Sequence, residues 1–543
     1  MPIEYFFTEA MDVYLAGPTF GKRYKVRKFP FFFLLLYDFY IKSWLYKKLL
    51  LYLTDILRNR KLKNWVSLSQ KDFTLAFFSE LFDITISEKV FINLTKLSKM
   101  TTDRRVFIKN SVTAAAGLGI VSGFTGGLQA AQRLVAPSDQ INIALIGCKN
   151  MGFGDLKNHL NIPGVNCIGL CDIDQNVLND RAAEVQKTYN QKPKLYGDYR
   201  KLLENKDLHA VVIGTPDHWH CLPMVNACEA GLDVYVEKPM ANSIEECNLM
   251  VKAANRYNRI VQVGQQQRSG AHWNKINQMI KAGRIGKLRK TNVWGNFNYG
   301  VGQPIVADSA IPLGVDFEMW LGPAPSRSFN ASRFHGSWRM FWNYGGGLIT
   351  DWGVHLLDMA LWAKDIKTPP KKIMASGANL SFKENAHETY DTMSVIFEMD
   401  DYQITWQHTA GTQNGPWNKS YGIEFIGDIG TIVADRGGYK IIPQWDETEK
   451  KNKIEPEEFD KGGENHQEHA HNFIDCIKSR KKTVCPPEIG RVVAVAAHCA
   501  NIAVRSHENL LLWNEKEGRF SNSEIANQYI VPEYRKPWAL PTV

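Results

Sequence analysis

The stretch from Gln140 to Gly152 constrains the fold more than any other. Gln140-Ile141-Asn142-Ile143-Ala144-Leu145-Ile146 alternates and then runs apolar, the pattern of a strand buried in a parallel sheet. It breaks into Gly147-Cys148-Lys149-Asn150-Met151-Gly152, and the residues after it read as a helix. A second apolar strand, Asn166 to Cys171, ends at Asp172, 20 residues after Gly152. A third, Ala210 to Ile213, opens into Gly214-Thr215-Pro216. Strands separated by helical stretches at this spacing predict a doubly wound parallel sheet, placed over residues 139–264.

The glycine turn is an imperfect G-x-G-x-x-G, because Lys149 stands at the second glycine position. That glycine ordinarily lets the backbone approach a pyrophosphate closely. A lysine there can point outward and help neutralise phosphate. Asp172 stands where a carboxylate would bond the adenosine ribose hydroxyls and repel a 2′-phosphate; the blander reading is a loop acid or a helix cap. No arginine follows it directly, so NAD is expected rather than NADP. Gly147, Lys149, Asn150, Met151, Gly152 and Asp172 are the expected holders.

A net charge of +9 raises nucleic acid or an anionic membrane as a partner. Residues 1–99 carry +7 of it and residues 100–132 carry +2, so the rest of the chain is neutral and predicts neither. In the first segment the longest uncharged run of its aromatic-rich part, Phe29 to Tyr37, falls short of the roughly 18–20 residues a membrane span needs. A membrane-surface helix is one reading. The bias toward Phe, Leu, Ile, Tyr, Lys and Asn favours another: a mis-called N-terminal extension translated from A/T-rich DNA, with the start at Met100. Residues 100–132 then read as a twin-arginine signal, Arg104-Arg105-Val106-Phe107-Ile108-Lys109 preceding an uncharged, Ala/Gly-rich stretch. The expected location is periplasmic or exported, with the signal cleaved or kept as an anchor, or cytoplasmic if the signal is silent. The nine cysteines are odd in number and contain no Cys-x-x-Cys, which predicts buried free thiols rather than disulfides or a zinc site.

Further along come Thr215-Pro216-Asp217-His218-Trp219-His220, Glu237-Lys238-Pro239, Ala282-Gly283-Arg284-Ile285-Gly286-Lys287, and Gly345-Gly346-Gly347 leading to Asp351-Trp352-Gly353-Val354-His355. In this order the motifs resemble the Gfo/Idh/MocA oxidoreductases (glucose–fructose oxidoreductase, inositol dehydrogenase and relatives) over about residues 140–540. The resemblance implies an N-terminal NAD-binding Rossmann domain and a C-terminal α+β domain with a large open, mainly antiparallel sheet. It places Lys238, Asp351 and His355 in catalysis, and Thr215, Pro216, His218, His220, Glu237 and Lys238 at the cofactor. Arg268, Trp273 and Trp338 are expected, with Asp351 and His355, at the substrate.

The residue chemistry agrees with those roles. Lys238 follows an apolar strand and should project from the carboxyl edge of the sheet, where ligands bind. Asp351 and His355 lie four apart, which on an α-helix turns both the same way. A histidine there suits accepting a hydroxyl proton as hydride leaves the same carbon, with Asp351 orienting it or holding substrate hydroxyls. His218 and His220 find no third ligand at a convincing spacing, so no metal is expected. The Glu464, His466, Glu468, His469, His471 cluster reads as a solvated helix start, with substrate or metal contact the lesser alternative.

Residues 265–520 carry hairpin signals around Asp400-Asp401, Gly427/Gly430 and Gly437-Gly438, marking the substrate domain. Trp294, Trp320, Trp338 and Trp342 lie in an aromatic, Gly-rich region suited to sugar faces or to packing. Residues 521–543 form a tail expected to pack back. The family sheet implies a homo-oligomer. Together these features predict NAD-dependent hydride transfer at a secondary hydroxyl or carbonyl of a small-molecule sugar, polyol or glycoside. NAD-dependent glycoside hydrolysis through a transient keto-sugar is the alternative, and a non-catalytic sugar-binding protein a minor one.

Overall fold

The structure, a computed structural model, describes residues 140–543 and two short strands, Asp12–Tyr14 and Lys25–Arg27, that pair antiparallel. Beyond those two strands, the expectations for residues 1–99 and for the signal at 100–132 lie outside the described residues.

Strands β1 (Ile141–Ile146), β2 (Val165–Cys171), β3 (Lys194–Tyr196), β4 (Ala210–Ile213), β5 (Asp233–Val236) and β6 (Val261–Val263) form a six-stranded sheet in the order β3-β2-β1-β4-β5-β6, all parallel. The order reverses between β1 and β4, so a crevice opens above their carboxyl ends. Both faces are buried. Ile143 and Leu145 of β1 pack with α1 (Asn150–Leu160), while Ala144 and Ile146 pack with α3 (Cys221–Glu229) and α4 (Ile244–Arg256) on the other side. Helix α2 (Gln175–Tyr189) is capped by Asp174, whose carboxylate accepts the Asn176 N–H. At α4 the cap Ser243 takes the Glu246 N–H, stopping one of the donors a helix start leaves unpaired.

The second part follows α5 (Ala271–Lys281). Its strands are β7 (Lys290–Gly295), β8 (Lys372–Ala378), β9 (Thr392–Glu398), β10 (Gln403–Thr409), β11 (Tyr421–Ile426), β12 (Gly430–Asp435), β13 (Gly438–Pro443), β14 (Glu457–Phe459), β15 (Leu511–Asn514) and β16 (Arg519–Phe520). They make one ten-stranded sheet, β14-β13-β12-β11-β7-β10-β9-β8-β15-β16. The hairpins at 398–403, 426–430 and 435–438 are antiparallel, as the turn residues predict. Strand β7 is the exception: it lies between β11 and β10 and runs parallel to β10. A parallel neighbour needs a long crossover, and residues 296–402 supply it, including helix α6 (Val354–Ala363).

One face of this sheet packs on α6 and on α8 (Pro487–Arg505) through Ile373, Val395, Phe397, Ile404 and Trp406. The other is polar and open, with Asn292 bridging Thr405 and Glu424. Helix α7 (His466–Ser479) returns to the nucleotide-binding sheet, where Phe473 meets His159 and Tyr235 edge-on. The C-terminal tail also packs back. Tyr534 donates to Glu246, and Trp538 sits edge-on to Trp219 at 4.9 Å. All nine cysteines are free and buried.

Candidate active site

The first part of the site is the turn between β1 and α1. Gly147 takes φ +87°, and a Cβ at Gly152 would lie 2.2 Å from the Gly147 carbonyl oxygen. A Cβ at Gly214 would lie 2.3 Å from Gly152 Cα, so three chain segments cross at contact distance. Lys149, by contrast, takes φ −99° and ψ 156°, ordinary extended backbone, so a lysine costs nothing there. No side chain caps α1 and no acid occupies its first turn, which leaves N–H donors and a positive helix end for a pyrophosphate.

Asp172 closes this turn. Its oxygens accept the N–H groups of Cys148 (2.7 Å) and Asp174 (3.0 Å). Burial raises its carboxyl, and those two hydrogen bonds offset part of the rise. Each oxygen keeps a second lone pair, so bonding a ribose remains compatible with this bracing role. The crevice is lined by Gly147, Lys149, Asn150, Met151, Asp172, Thr215, Pro216, Glu237 and Lys238 from the first part and by Trp320, His335, Trp338 and Arg339 from the second. These residues fit an NAD molecule along the β1–β4 switch point.

Lys238 stands one residue past Glu237, beyond the end of β5. Its Nζ donates to the Asp351 carboxylate and to the Asp351 carbonyl, both at 2.8 Å. Arg339 Nε donates to the same carboxylate oxygen at 3.1 Å, and Tyr299 OH to the other at 3.0 Å. Burial would raise the Asp351 carboxyl; Lys238 and Arg339, with the hydrogen bonds, outweigh it and hold it well below the usual carboxylate range. Asp351 therefore orients Lys238 and not the imidazole of His355.

The α-helical spacing expected of Asp351 and His355 is also corrected. Residues Ile349–Gly353 form a π-helical turn, and α6 begins only at Val354. Such a turn widens the local spiral, a feature common at functional sites. His355 is buried, and its neutral form is favoured first by burial and then by Lys238, Arg436, His466 and His469. Its Nδ1 meets the Gln267 side chain at 2.9 Å.

Several sequence-expected site residues lie elsewhere. Arg268 makes three N–H bonds of 2.6–2.9 Å to Asp358, both side chains being buried, so its guanidinium is consumed inside the core. Trp273 is 1% exposed and belongs to that core. His218 packs between Trp219, Trp320 and Tyr344, with Nε2 against the Trp320 carbonyl, and does not line the crevice. His220 clasps two loops from beneath, its nitrogens 2.8 Å from the Pro239 carbonyl and 3.0 Å from the Thr215 carbonyl. Glu237 borders the crevice but turns its carboxylate inward to Gln266 (2.8 Å) and Asp155. Both carboxyls are pushed up by burial, Asp155 further by Glu237. Of the Glu464–His471 cluster, Glu464, Glu468 and His471 are exposed and His466 is half-buried, while His469 is buried with its nitrogens against Ser269 Oγ (2.8 Å) and the Val263 carbonyl (3.0 Å). No group of three or more potential metal ligands occurs among the described residues.

Tyr299, Arg339, Gln267 and Arg436 were not among the site residues expected from the sequence. Arg339 adjoins the expected Trp338, over whose ring it lies at 4.3 Å. Gln267 belongs to the polar run Gln265-Gln266-Gln267-Arg268 directly after a buried strand, an unusual placement that flags a site.

Residues 141–265 match the profile "Oxidoreductase family, NAD-binding Rossmann fold" and residues 269–422 match "Oxidoreductase family, C-terminal alpha/beta domain", together just over half of the chain. The chain belongs to the Gfo/Idh/MocA oxidoreductase family. Its Rossmann part is accordingly an NAD-binding domain. A "Glycosyl hydrolase family 109 protein" of Shewanella putrefaciens is 30% identical over 160 residues, 28% of this chain and 35% of that protein. The chain thus spans about a third of the length of that curated relative, and 44–45% of the length of glycosyl hydrolase family 109 proteins of Shewanella baltica and Shewanella pealeana. Among solved structures, levoglucosan dehydrogenase in complex with NADH and levoglucosan superposes with a TM-score of 0.52 at 18% identity, covering 69% of this chain and 99% of that one. The WlbA dehydrogenase of Bordetella pertussis, in complex with NADH and UDP-GlcNAcA, gives 0.51 at 18% identity, covering 69% and 99%. At that identity these two support the Gfo/Idh/MocA fold alone.

Proposed function

We propose that this protein transfers hydride between tightly held NAD and a secondary hydroxyl or carbonyl of a sugar, polyol or glycoside. The carrying observation is the convergence at the end of the NAD crevice: Lys238 fixed by Asp351, flanked by Arg339 and Tyr299, with the His355 imidazole nearby. Bound NAD supplies the hydride acceptor or donor. The chain's residues bind and orient the substrate oxygen, and the buried polar floor keeps Lys238 in place. Tyr299 and Arg339 offer a ring edge and a fork of donors to neighbouring hydroxyls.

Retention of the cofactor is supported by how the second part grips the turn carrying Asp172. Asp316 N–H donates to the Ile173 carbonyl and Gln175 N–H to the Gly314 carbonyl, both at 2.9 Å. His335 meets Asp174 at 2.7 Å. A protein exported through its Arg104-Arg105 signal would meet no soluble nicotinamide pool, so a held cofactor would be recycled in place.

The second reading, redox-neutral glycoside cleavage through a transient keto-sugar, is favoured by the similarity to glycosyl hydrolase family 109 proteins. Both readings begin by oxidising a sugar carbon. We favour net oxidoreduction because the Glu237-Lys238-Pro239 motif is intact. Protein produced from Met100 should release NAD on denaturation, and a panel of sugars and aryl glycosides separates net cofactor reduction from bond cleavage. No bound nucleotide, and no binding of added NAD, would sink both. A homo-oligomer through the open face of the ten-stranded sheet is also proposed, and light scattering of the same preparation tests it.

A further inference from the structure

His355 is the second residue of α6, and its Nδ1 lies 2.9 Å from one terminal atom of the Gln267 amide. The other terminal atom of that amide lies 2.7 Å from Nε and 3.0 Å from Nη2 of Arg436. A guanidinium offers only donors, so the atom facing it must be the amide oxygen. The NH2 group then faces His355 and donates to Nδ1. Nδ1 must be the lone-pair nitrogen, and a neutral imidazole carries its proton on Nε2.

Arg436 is itself anchored. It follows β12, its Nη1 donates to the Glu464 carboxylate, and the Trp352 ring lies 4.5 Å from it. Gln267 is 1% exposed in a one-turn helix, leaving it little room to rotate. The charged and titratable groups acting on His355 are Lys238, Arg436, His466 and His469; with burial, they favour the neutral ring. Asp351, the nearby anion, is occupied by Lys238, Arg339 and Tyr299. Among the described residues the His355 ring is hydrogen-bonded through Nδ1, to Gln267, which leaves Nε2 for the substrate.

We propose that Arg436 and Gln267 are positioning residues that hold His355 as its Nε2–H tautomer, so that the imidazole presents a donor, not a lone pair, to the substrate oxygen. The identity of that oxygen rests on the hydride-transfer reading; the tautomer does not. On that reading the oxygen takes the His355 Nε2–H, with the Lys238 ammonium as the cation acting on the same ring, a setting complementary to a carbonyl or alkoxide. This revises the role the sequence suggests for His355. To accept a hydroxyl proton at Nε2 it would need its own proton on Nδ1, and Gln267 would have to turn its NH2 against the donors of Arg436.

The test reads the tautomer directly. Holoprotein carrying 15N-histidine is examined by long-range proton–nitrogen correlation, and the His355 signals are identified by their loss in His355→Asn. The expected spectrum has a protonated Nε2 and an unprotonated Nδ1, with no substrate present. Gln267→Glu replaces the NH2 with an oxygen that accepts, so Nδ1 should gain a proton. Arg436→Lys keeps a donor-only group and should preserve the wild-type pattern. If Gln267→Glu also removes the donor from the oxygen, reduction of a keto-sugar should fall by about 10²-fold or more while NAD affinity is kept. A wild-type spectrum with the proton on Nδ1, or an unchanged His355 tautomer in a folded Gln267→Glu protein, overturns the proposal. A protein with the stated tautomer that oxidises no sugar would instead count against the hydride-transfer reading alone.

Discussion

Replacing Arg268 by methionine isolates the buried ion pair beneath the site. In the folded protein Asp358 is 0% exposed and its charge is compensated by the Arg268 guanidinium, whose Nε and Nη2 donate to it. Methionine keeps the apolar stem over Trp362, whose ring the guanidinium overlies at 4.9 Å, but leaves the carboxylate uncompensated. Breaking such a pair from one side costs about 3–5 kcal/mol, because the remaining charge must be desolvated alone or protonated. For roughly 400 ordered residues, an unfolding entropy of about 2.1 cal/mol/K per residue converts that to a Tm drop of about 4–6 °C. Removing both charges, in Arg268→Met with Asp358→Leu, should recover most of the loss, since a hydrophobic pair of similar volume is often neutral or better. Urea unfolding with NAD saturating in every sample keeps the ligand contribution constant. A single variant destabilised by less than about 1 kcal/mol, with KM for the sugar raised instead, would refute the core placement and return Arg268 to the substrate.

Three further outcomes follow from the same geometry. His159, His218, His220, His408 and His498 are each lowered to about 4 by burial, so between about pH 6.5 and 4 the unfolded chain binds protons that the folded one refuses. Stability should therefore decline as pH falls through that window, and urea midpoints that stay flat across it would contradict the burial of these rings. Lys149→Gly restores the consensus glycine but relieves no backbone strain and removes a cation, so NAD should bind about two- to fivefold more weakly in calorimetry; tighter binding would show that the lysine obstructs the turn. Gly152→Ala drives a Cβ to 2.2 Å from the Gly147 oxygen, and NAD retention during purification should be lost, whereas Gly154→Ala, with only the Met151 side-chain end at 3.9 Å, should keep it.

Much of the fold was legible because its signals are local. The apolar strands, the Gly147–Gly152 turn and Asp172 at the next strand end specify a parallel sheet and its crevice through short-range periodicity. The hairpins at Asp400-Asp401 and Gly437-Gly438 are equally local, and the sheet pairs around them as their turn residues predict. Strand β7 was not legible as a parallel neighbour of β10, since more than a hundred residues separate the partners and no local pattern encodes that pairing.

The site divides in the same way. Lys238, Asp351 and His355 stand out by residue type and motif, yet their wiring is long-range. Lys238 finds Asp351 across 113 residues, Tyr299 reaches it across 52, and the Arg436 that orients Gln267 comes from a separate sheet. Arg268 and Trp273 show the limit from the other side. An arginine or tryptophan near a site motif has the chemistry to bind a sugar, but only packing decides whether a buried carboxylate or a core cluster takes it first. By itself, the sequence determined the nucleotide-binding sheet, its glycine turn and the three chemical groups of the candidate site, because each is written in residues close together along the chain. The tertiary structure alone decided which groups are spent on one another and which nitrogen of His355 carries the proton, because hydrogen-bond partners are chosen by proximity in space, and burial makes each choice costly to reverse.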